Sequence, residues 1–196
     1  MSARPRPGRS VAPDVLRSST ISTDRAARPR TALHLLTGRA PAPPSAGSLL
    51  HAAGVSSAML LLLVSAGALL HRPALIPPLA ASAALIHGSP TMPLAQPRSV
   101  VGGHLVAAAT GYAVLTVLGG SMWAAALAGG LALAVMMVTR TPHSPGAATA
   151  VIVVLQAPRP VPFLLTLAAA TVLLVLAGTA TSRARRTAPC YPAYWW

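Results

Sequence analysis

The chain has 196 residues, of which 54% are hydrophobic and only 9% are charged, against about a quarter in an average soluble domain. Fifteen basic residues, all of them arginine, stand against two acids, Asp14 and Asp24. This composition predicts a small membrane protein, and the lack of side-chain carboxylates after residue 24 excludes carboxylate proton relays, cation sites and carboxylate metal ligands in the membrane. Histidine is left as the side chain that titrates near neutral pH.

Residues 1–48 are rich in Arg, Pro, Ser and Thr and show no apolar periodicity, which predicts a disordered tail. The tail has no apolar segment of the signal-peptide type. The complete lack of lysine favours a bacterium with a GC-rich genome, and an organelle transit peptide is the alternative interpretation of the tail.

A membrane domain is predicted for residues 49–180, followed by a basic and aromatic tail at 181–196. Four apolar stretches read as full or nearly full spans: 49–70, 100–118, 123–138 and 163–179. The first of these would be about 33 Å long as a helix, enough to cross a hydrocarbon core of about 30 Å.

Two further apolar segments, 75–87 and 146–157, would be only about 18–20 Å long as helices. Both are proline-led, by Pro77 and Pro78 in the first case and by Pro142 and Pro145 in the second. Proline is tolerated at the start of a helix because its missing N–H would be unpaired there in any case.

The two short segments resemble each other. PLAASAALI (78–86) aligns with PGAATAVIV (145–153), so that Ser82 matches Thr149, and LAQPR (94–98) follows the first as LQAPR (155–159) follows the second. An arginine, Arg72 or Arg140, precedes each segment. These matches predict a duplication with units 49–118 and 122–180, and because three crossings per unit is an odd number, the second unit is inverted. The predicted fold is therefore an all-α polytopic membrane protein of about six helices, a 3+3 inverted repeat whose second and fifth segments are short or broken.

Orientation follows from the arginines that flank the spans. They cluster before the first span and after the last, at Arg25, Arg28, Arg30, Arg39, Arg183, Arg185 and Arg186. Both termini are expected in the cytoplasm, with the protein in the inner membrane of a bacterium. Six crossings satisfy this, and so do four crossings with two re-entrant segments; six is preferred.

A helix that starts inside a membrane leaves N–H groups unpaired, and together with the helix dipole these favour an anion. Arg140 and Arg98 would concentrate the anion, and His143 or His104 could carry a coupled proton. The predicted substrate-binding residues are Pro78, Ser82, Arg98, His104, Arg140, His143, Pro145, Gly146, Ala147, Ala148 and Thr149.

Other interpretations compete with this one. The arginines could extend to lipid headgroups, and His143 and His104 could be structural, as His51 and His87 are expected to be. No pair of histidines has the i,i+4 spacing of a metal site, so no metal or cofactor is predicted. No base and orienting group accompany a Ser or Thr nucleophile, so no enzyme is predicted either. The basic tail is expected to contact anionic lipid and not nucleic acid, and a homodimer is compatible with so small a membrane domain.

The motifs AQPR (95–98), GGH (102–104) and TRTPHSPGAATA (139–150) resemble those of the HPP family of integral membrane proteins. Two positions depart from the family pattern: Ser99 stands for an asparagine, and Ser144 for the first proline of His-Pro-Pro. The resemblance implies a multi-pass protein and, for some members, nitrite transport. The predicted function is passage of a small monovalent anion, nitrite first; the alternative is a non-transporting membrane scaffold or regulatory module.

Overall fold

Residues 42–69, 76–184 and 190–195 are the part of the chain that the structure, a computed structural model, describes. Six α-helices follow one another within these residues: α1 (Ala46–Leu69), α2 (Ile76–Gly88), α3 (Gly103–Leu118), α4 (Met122–Val138), α5 (Ser144–Gln156) and α6 (Pro160–Ala184). A 3₁₀ turn, Pro93–Ala95, and a π-helical turn, Arg98–Gly102, precede α3. The predicted all-α architecture is confirmed. The predictions for residues 1–41, Arg72, Arg185 and Arg186 lie outside the described residues.

Local sequence signals set the helix boundaries. The α3 helix ends at Gly119, whose φ of 72° favours glycine, and the Ser121 hydroxyl then caps α4 by accepting the Ala124 N–H at 3.1 Å. The α5 helix has Pro145 in its first turn and ends at Ala157, which lies in the left-handed region. Because proline restricts the residue before it and cannot continue a helix, Pro158 and Pro160 separate α5 from α6.

Helices α3, α4 and α5 alternate in direction. The Arg98 Nη2 donates to the Thr139 carbonyl oxygen at 3.1 Å, which places the start of α3 beside the end of α4. The Tyr112 hydroxyl in the second half of α3 donates to the Pro158 carbonyl oxygen at 3.1 Å, just after α5. Since α5 begins beside the start of α3 and ends towards its far half, it passes along the bundle and does not turn back.

The start of α1 and the C-terminal segment 190–195 lie at one end of the bundle, which we call the arginine end because it carries Arg98 and Arg140. The C-terminal segment 190–195 reaches it through the Gln96 carboxamide oxygen, which accepts the Ala193 N–H at 2.9 Å. The same segment and the start of α1 line one cavity, through Tyr191 and Ser48. The start of α1 and the segment 190–195 at the same end agree with the predicted six passes.

Helices α3, α4 and α5 pack closely because small residues line their contacts. Fully or almost fully buried alanines fill the space between them: Ala107, Ala124, Ala125, Ala128, Ala132 and Ala150. A β-carbon added to Gly111 of α3 would lie 2.8 Å from the Ala150 carbonyl oxygen of α5. Small residues of this kind let helix backbones approach in a membrane, where apolar burial alone gives no driving force for association.

Three helical segments are long and apolar enough to cross a membrane: Ala46–Leu69, Arg98–Leu118 and Pro160–Ala184. Helix α1 lies at the periphery, since only 6% of its most apolar window is buried and Leu69 is 81% exposed. An apolar surface this long is suited to lipid, and the protein spans a membrane.

The helix contacts have an internal correspondence. Helices α1 and α2 pack together as α4 and α5 do, α2 packs on α6 as α5 packs on α3, and α1 contacts α6 as α4 contacts α3. Two further contacts, α2 with α5 and α3 with α6, each join corresponding helices of the two halves. The pattern of the more extensive helix contacts is therefore the same when the first three helices are exchanged with the last three.

Candidate functional site

The site is built where α2, α3 and α5 meet, and the approach of their backbones depends on Gly103. A β-carbon added to Gly103 would lie 2.6 Å from the His143 Cβ and 2.9 Å from the Thr141 carbonyl oxygen. Only glycine therefore lets the loop between α4 and α5 lie against the start of α3. This contact brings His143 next to His104, the second residue of α3, with their ring centroids 4.8 Å apart.

Four buried polar side chains form what we call the histidine cluster: Ser82 of α2, His104 of α3, and His143 and Thr149 of α5 and its N-cap. Each is 0% exposed. The Ser82 Oγ lies 2.8 Å from the Nε2 atoms of both His104 and His143. The His104 Nδ1 lies 2.8 Å from the Thr149 Oγ1. All of these groups are partnered, as buried polar groups must be to avoid a large desolvation penalty.

The cluster joins the two short helices at equivalent positions. Ser82 and Thr149 are the residues that the alignment of the two segments placed opposite each other, and His104 bonds both, one through each ring nitrogen. The other histidine, His143, is fixed through Nδ1, which donates to the Leu94 carbonyl oxygen at 2.8 Å. Because a carbonyl oxygen only accepts, His143 carries a proton on Nδ1.

A second feature, which we call the arginine cavity, opens beside the cluster at the arginine end. Its volume is about 440 Å³, and its lining is Pro93, Arg98, Ser99, Met137, Arg140, Pro142 and Tyr194. Both predicted arginines therefore share one cavity, and its wall includes Pro142, the residue before His143. The π-helical turn Arg98–Gly102 carries Arg98, and such turns often occur at functional sites.

Arg140 has an unusual backbone. The Arg140 N–H donates to the Met137 carbonyl oxygen and the Thr141 N–H to that of Met136, at 3.1 and 2.8 Å, which is the Schellman pattern that ends α4. In this pattern the left-handed residue is usually glycine, yet Arg140 occupies it with a φ of 57°. The chain thus keeps an exposed guanidinium at the cavity where a glycine would be less strained.

The start of α5 is where the sequence predicts unpaired N–H groups that bind an anion. The Gly146 N–H donates to the His143 carbonyl oxygen at 2.8 Å, and Pro145 has no N–H to offer. A β-carbon added to Gly146 would lie 3.1 Å from the Gly103 carbonyl oxygen and from the Met136 Sδ. Atoms of α3 and α4 therefore fill the space beside Gly146, and this glycine makes room for their close approach. The binding of an anion at the start of α5 stays a prediction.

The other predicted residues are divided between packing and the cluster. Pro78 is buried, and its carbonyl oxygen accepts the Ser82 hydroxyl at 2.9 Å. Ala147 packs in the alanine-rich contact with α4, whereas Ala148 is exposed. The structure thus assembles Ser82, His104, His143 and Thr149 at one point, places Arg98 and Arg140 beside them, and leaves the two alanines outside.

Sequence reasoning missed Gln96, which is 0% exposed. Its Nε2 donates to the carbonyl oxygens of Pro90 and Met92 at 2.8 and 3.0 Å, while its Oε1 accepts from the C-terminal segment. A polar residue inside the repeated motif LAQPR was the available signal. His51 and His87, expected to be structural, line a separate cavity of about 390 Å³ with Tyr191.

Among the described residues, no group of three His, Cys, Asp or Glu side chains is placed to hold a metal ion. Ring nitrogens that could bind a metal in the cluster are engaged with hydroxyls or a carbonyl oxygen.

These features define a class: a polytopic all-α membrane protein with a buried His–Ser–His–Thr cluster beneath an arginine-lined cavity. The sequence profile described as "HPP, transmembrane region" matches residues 40–192, and the chain belongs to this family. Of curated relatives, a transmembrane protein of Dictyostelium discoideum is 37% identical over 131 residues, 62% of this chain and 45% of that protein. A second transmembrane protein of the same organism is 46% identical over 82 residues, 40% of this chain and 26% of that one. The chain thus spans less than half the length of these relatives, and no solved structure matches it.

Proposed function

We propose that the protein passes a small monovalent anion, nitrite first, across a membrane through the arginine cavity and the junction of α2 and α5. The observation that carries the proposal is the shared placement of Arg98 and Arg140 in one cavity of about 440 Å³, in a chain with no side-chain carboxylate after Asp24. Two guanidinium groups that line the same cavity raise the local concentration of small anions.

The helix arrangement supports the same proposal. The pattern of helix contacts is the same when the two halves are exchanged, as expected for a 3+3 inverted repeat. Such repeats have the transport site where the two short segments meet. Here that meeting point is His104, between Ser82 and Thr149. We propose that the arginine end faces the cytoplasm of a bacterium, in keeping with the arginines of both tails, and that lipid covers α1. The protein is proposed to be a transporter and not an enzyme, since the Ser82 hydroxyl is enclosed between two histidines.

The test is uptake of nitrite, nitrate, formate and chloride into proteoliposomes, under pH gradients of either sign. Arg140→Gly removes the guanidinium at a position whose backbone favours glycine, so the variant is expected to fold at least as well as the parent protein. We expect its initial rate of nitrite uptake to fall about tenfold or more, because electrostatic focusing in a cleft enhances capture by roughly 10- to 1000-fold.

The matched control is Arg159→Gln, since Arg159 is an exposed arginine beside the start of α6 and away from the cavity. Uptake by this variant should equal that of the parent protein. Equal loss in both variants would point to a general effect of surface charge. If no anion moves under any gradient, the alternative holds, a non-transporting membrane scaffold, which the complete burial of the histidine cluster favours.

A further inference from the structure

The Ser82 hydroxyl has three hydrogen-bond partners but only one proton to donate. Its Oγ lies 2.9 Å from the Pro78 carbonyl oxygen and 2.8 Å from the Nε2 atoms of His104 and His143. A serine hydroxyl donates once and accepts twice. The total number of protons in the cluster therefore decides which of these three contacts the O–H group makes.

With both histidines neutral, one arrangement pairs every ring nitrogen. His143 holds its proton on Nδ1 for the Leu94 carbonyl oxygen, so its Nε2 must accept the Ser82 hydroxyl. The Ser82 oxygen then accepts from a proton on the His104 Nε2, and the His104 Nδ1 accepts the Thr149 hydroxyl. Donation runs in one direction from Thr149 to Leu94.

One added proton gives a second complete arrangement. When the His143 Nε2 is also protonated, it donates to Ser82, whose O–H group rotates to the Pro78 carbonyl oxygen. His104 and Thr149 keep their bonds unchanged. The step takes one proton from a hydronium ion of the solvent, breaks one O–H bond there to leave water, forms one N–H bond on His143 and transfers no electrons. All three contacts of Ser82 are then used at once.

We propose that the histidine cluster is the proton-coupling site of the protein. His143 binds the proton, and the Ser82 O–H group then turns from His143 to the Pro78 carbonyl oxygen, which couples protonation to α2. The proposal rests on the proposed anion function for its coupling partner, whereas the two arrangements of the cluster follow from the geometry alone.

The charges around His143 set the sign of the coupling. His104 from α3 and Ser82 from α2 contact His143, and Thr149 from α5 contacts His104. These three groups are neutral at rest, while Arg98 and Arg140 line the adjoining cavity with Tyr194. The Met136 Sδ of α4 and the Thr141 carbonyl oxygen of the loop after α4 lie beside Gly103, and neither residue carries a charge. The positive charge of Arg140 opposes a proton on His143, and an anion in the cavity offsets that charge. Anion and proton therefore bind with positive coupling, each favouring the other equally.

The test is nitrogen-15 NMR of histidine-labelled protein in lipid, with signals assigned by loss in His143→Gln and His104→Gln. At pH 8 we expect neutral His143 with its proton on Nδ1 and neutral His104 with its proton on Nε2. On acidification His143 should become imidazolium first. Nitrite, compared with gluconate at equal ionic strength, should raise that midpoint by roughly one pH unit, a tenfold change within the usual range of coupling between sites.

Protonation of His104 first, a proton on the Nε2 of neutral His143, or a midpoint that nitrite leaves unchanged would overturn the proposal. The matched variants are Thr149→Val and Thr171→Val, because both remove a hydroxyl that is 0% exposed, and that of Thr171 bonds only within α6. Thr149→Val removes the hydroxyl that donates to the His104 Nδ1, so only this variant should allow the proton of neutral His104 to lie on either ring nitrogen. The NMR result does not depend on the uptake assay. The expected tautomers without anion uptake would refute transport alone. Anion uptake with a His143 midpoint that nitrite leaves unshifted would refute the proton site alone.

Discussion

Gly103 shows how much of the site depends on the size of one residue. The contact between its Cα and the loop of His143 leaves no space for a methyl group, so the second glycine of the GGH motif permits the cluster to form. Arg140 is the opposite case, since a large side chain occupies a left-handed position that glycine would fill with less strain. At both positions the residue is explained by the site and not by helix propensity.

Replacing Gly103 by alanine should destabilise the protein by about 1–3 kcal/mol, the usual range for overpacking a dense contact. Gly130→Ala in α4 is the control, because nothing lies within 4 Å of an added β-carbon there. That variant should be more stable than the parent by roughly 0.5–1 kcal/mol, since alanine is the better helix former. Thermal unfolding in detergent measures both; equal behaviour of the two variants would contradict the packing of α3 against the His143 loop.

At the scale of elements, the two short helices decide how the chain crosses the membrane. Each has 13 residues, about 20 Å of helix, and each carries one hydroxyl of the cluster. Helix α5 begins at the arginine end and finishes beside the second half of α3, so it separates its two ends across the bundle.

Cysteine labelling tests these directions in a Cys190→Ser background. Thr91→Cys should react from the same side as the natural Cys190, and Met122→Cys and Gln156→Cys from the other, because α3 and α5 run in the same direction. All three introduced positions are exposed in the structure. Labelling of position 156 from the side of Cys190 would show that α5 is re-entrant and that the chain makes fewer than six crossings.

At the scale of the whole molecule, Gln96 links parts of the chain about half its length apart. Its carboxamide bonds the loop before α3 on one side and the Ala193 N–H on the other, and it is fully buried. The C-terminal segment is thereby held at the arginine end, where Tyr194 lines the arginine cavity. The cavity wall therefore depends on a residue that lies in the AQPR motif but was not predicted as part of the site.

Gln96→Ala should lower the free energy of unfolding by about 1–3 kcal/mol, because it leaves buried backbone groups unsatisfied. It should also make the C-terminal segment more accessible to protease. Gln156→Ala, at the exposed residue of the matching motif LQAPR, should change neither property. Thermal unfolding and limited proteolysis measure the two effects, and an unchanged proteolysis rate in Gln96→Ala would show that the segment is held by other contacts.

The sequence by itself determined the membrane class, the helical fold, the positions of the spans and the two short proline-led helices. These follow from local properties: the length of an apolar run, the missing N–H of proline and the lack of carboxylates after Asp24. The sequence also singled out Ser82, His104, His143 and Thr149, although as separate candidates for anion binding or proton coupling and not as one hydrogen-bonded cluster.

Only the tertiary structure decided which of these residues meet. Ser82 and His143 are 61 residues apart, and their contact depends on how α2, α3 and α5 rotate and cross, which close packing at Gly103 and Gly111 fixes. The same packing filled the space beside Gly146 and placed Arg98 and Arg140 on one cavity. Helix periodicity records which residues form a helix, but contacts between helices depend on the shapes of all the surfaces that pack together, and no single segment of the sequence contains that information.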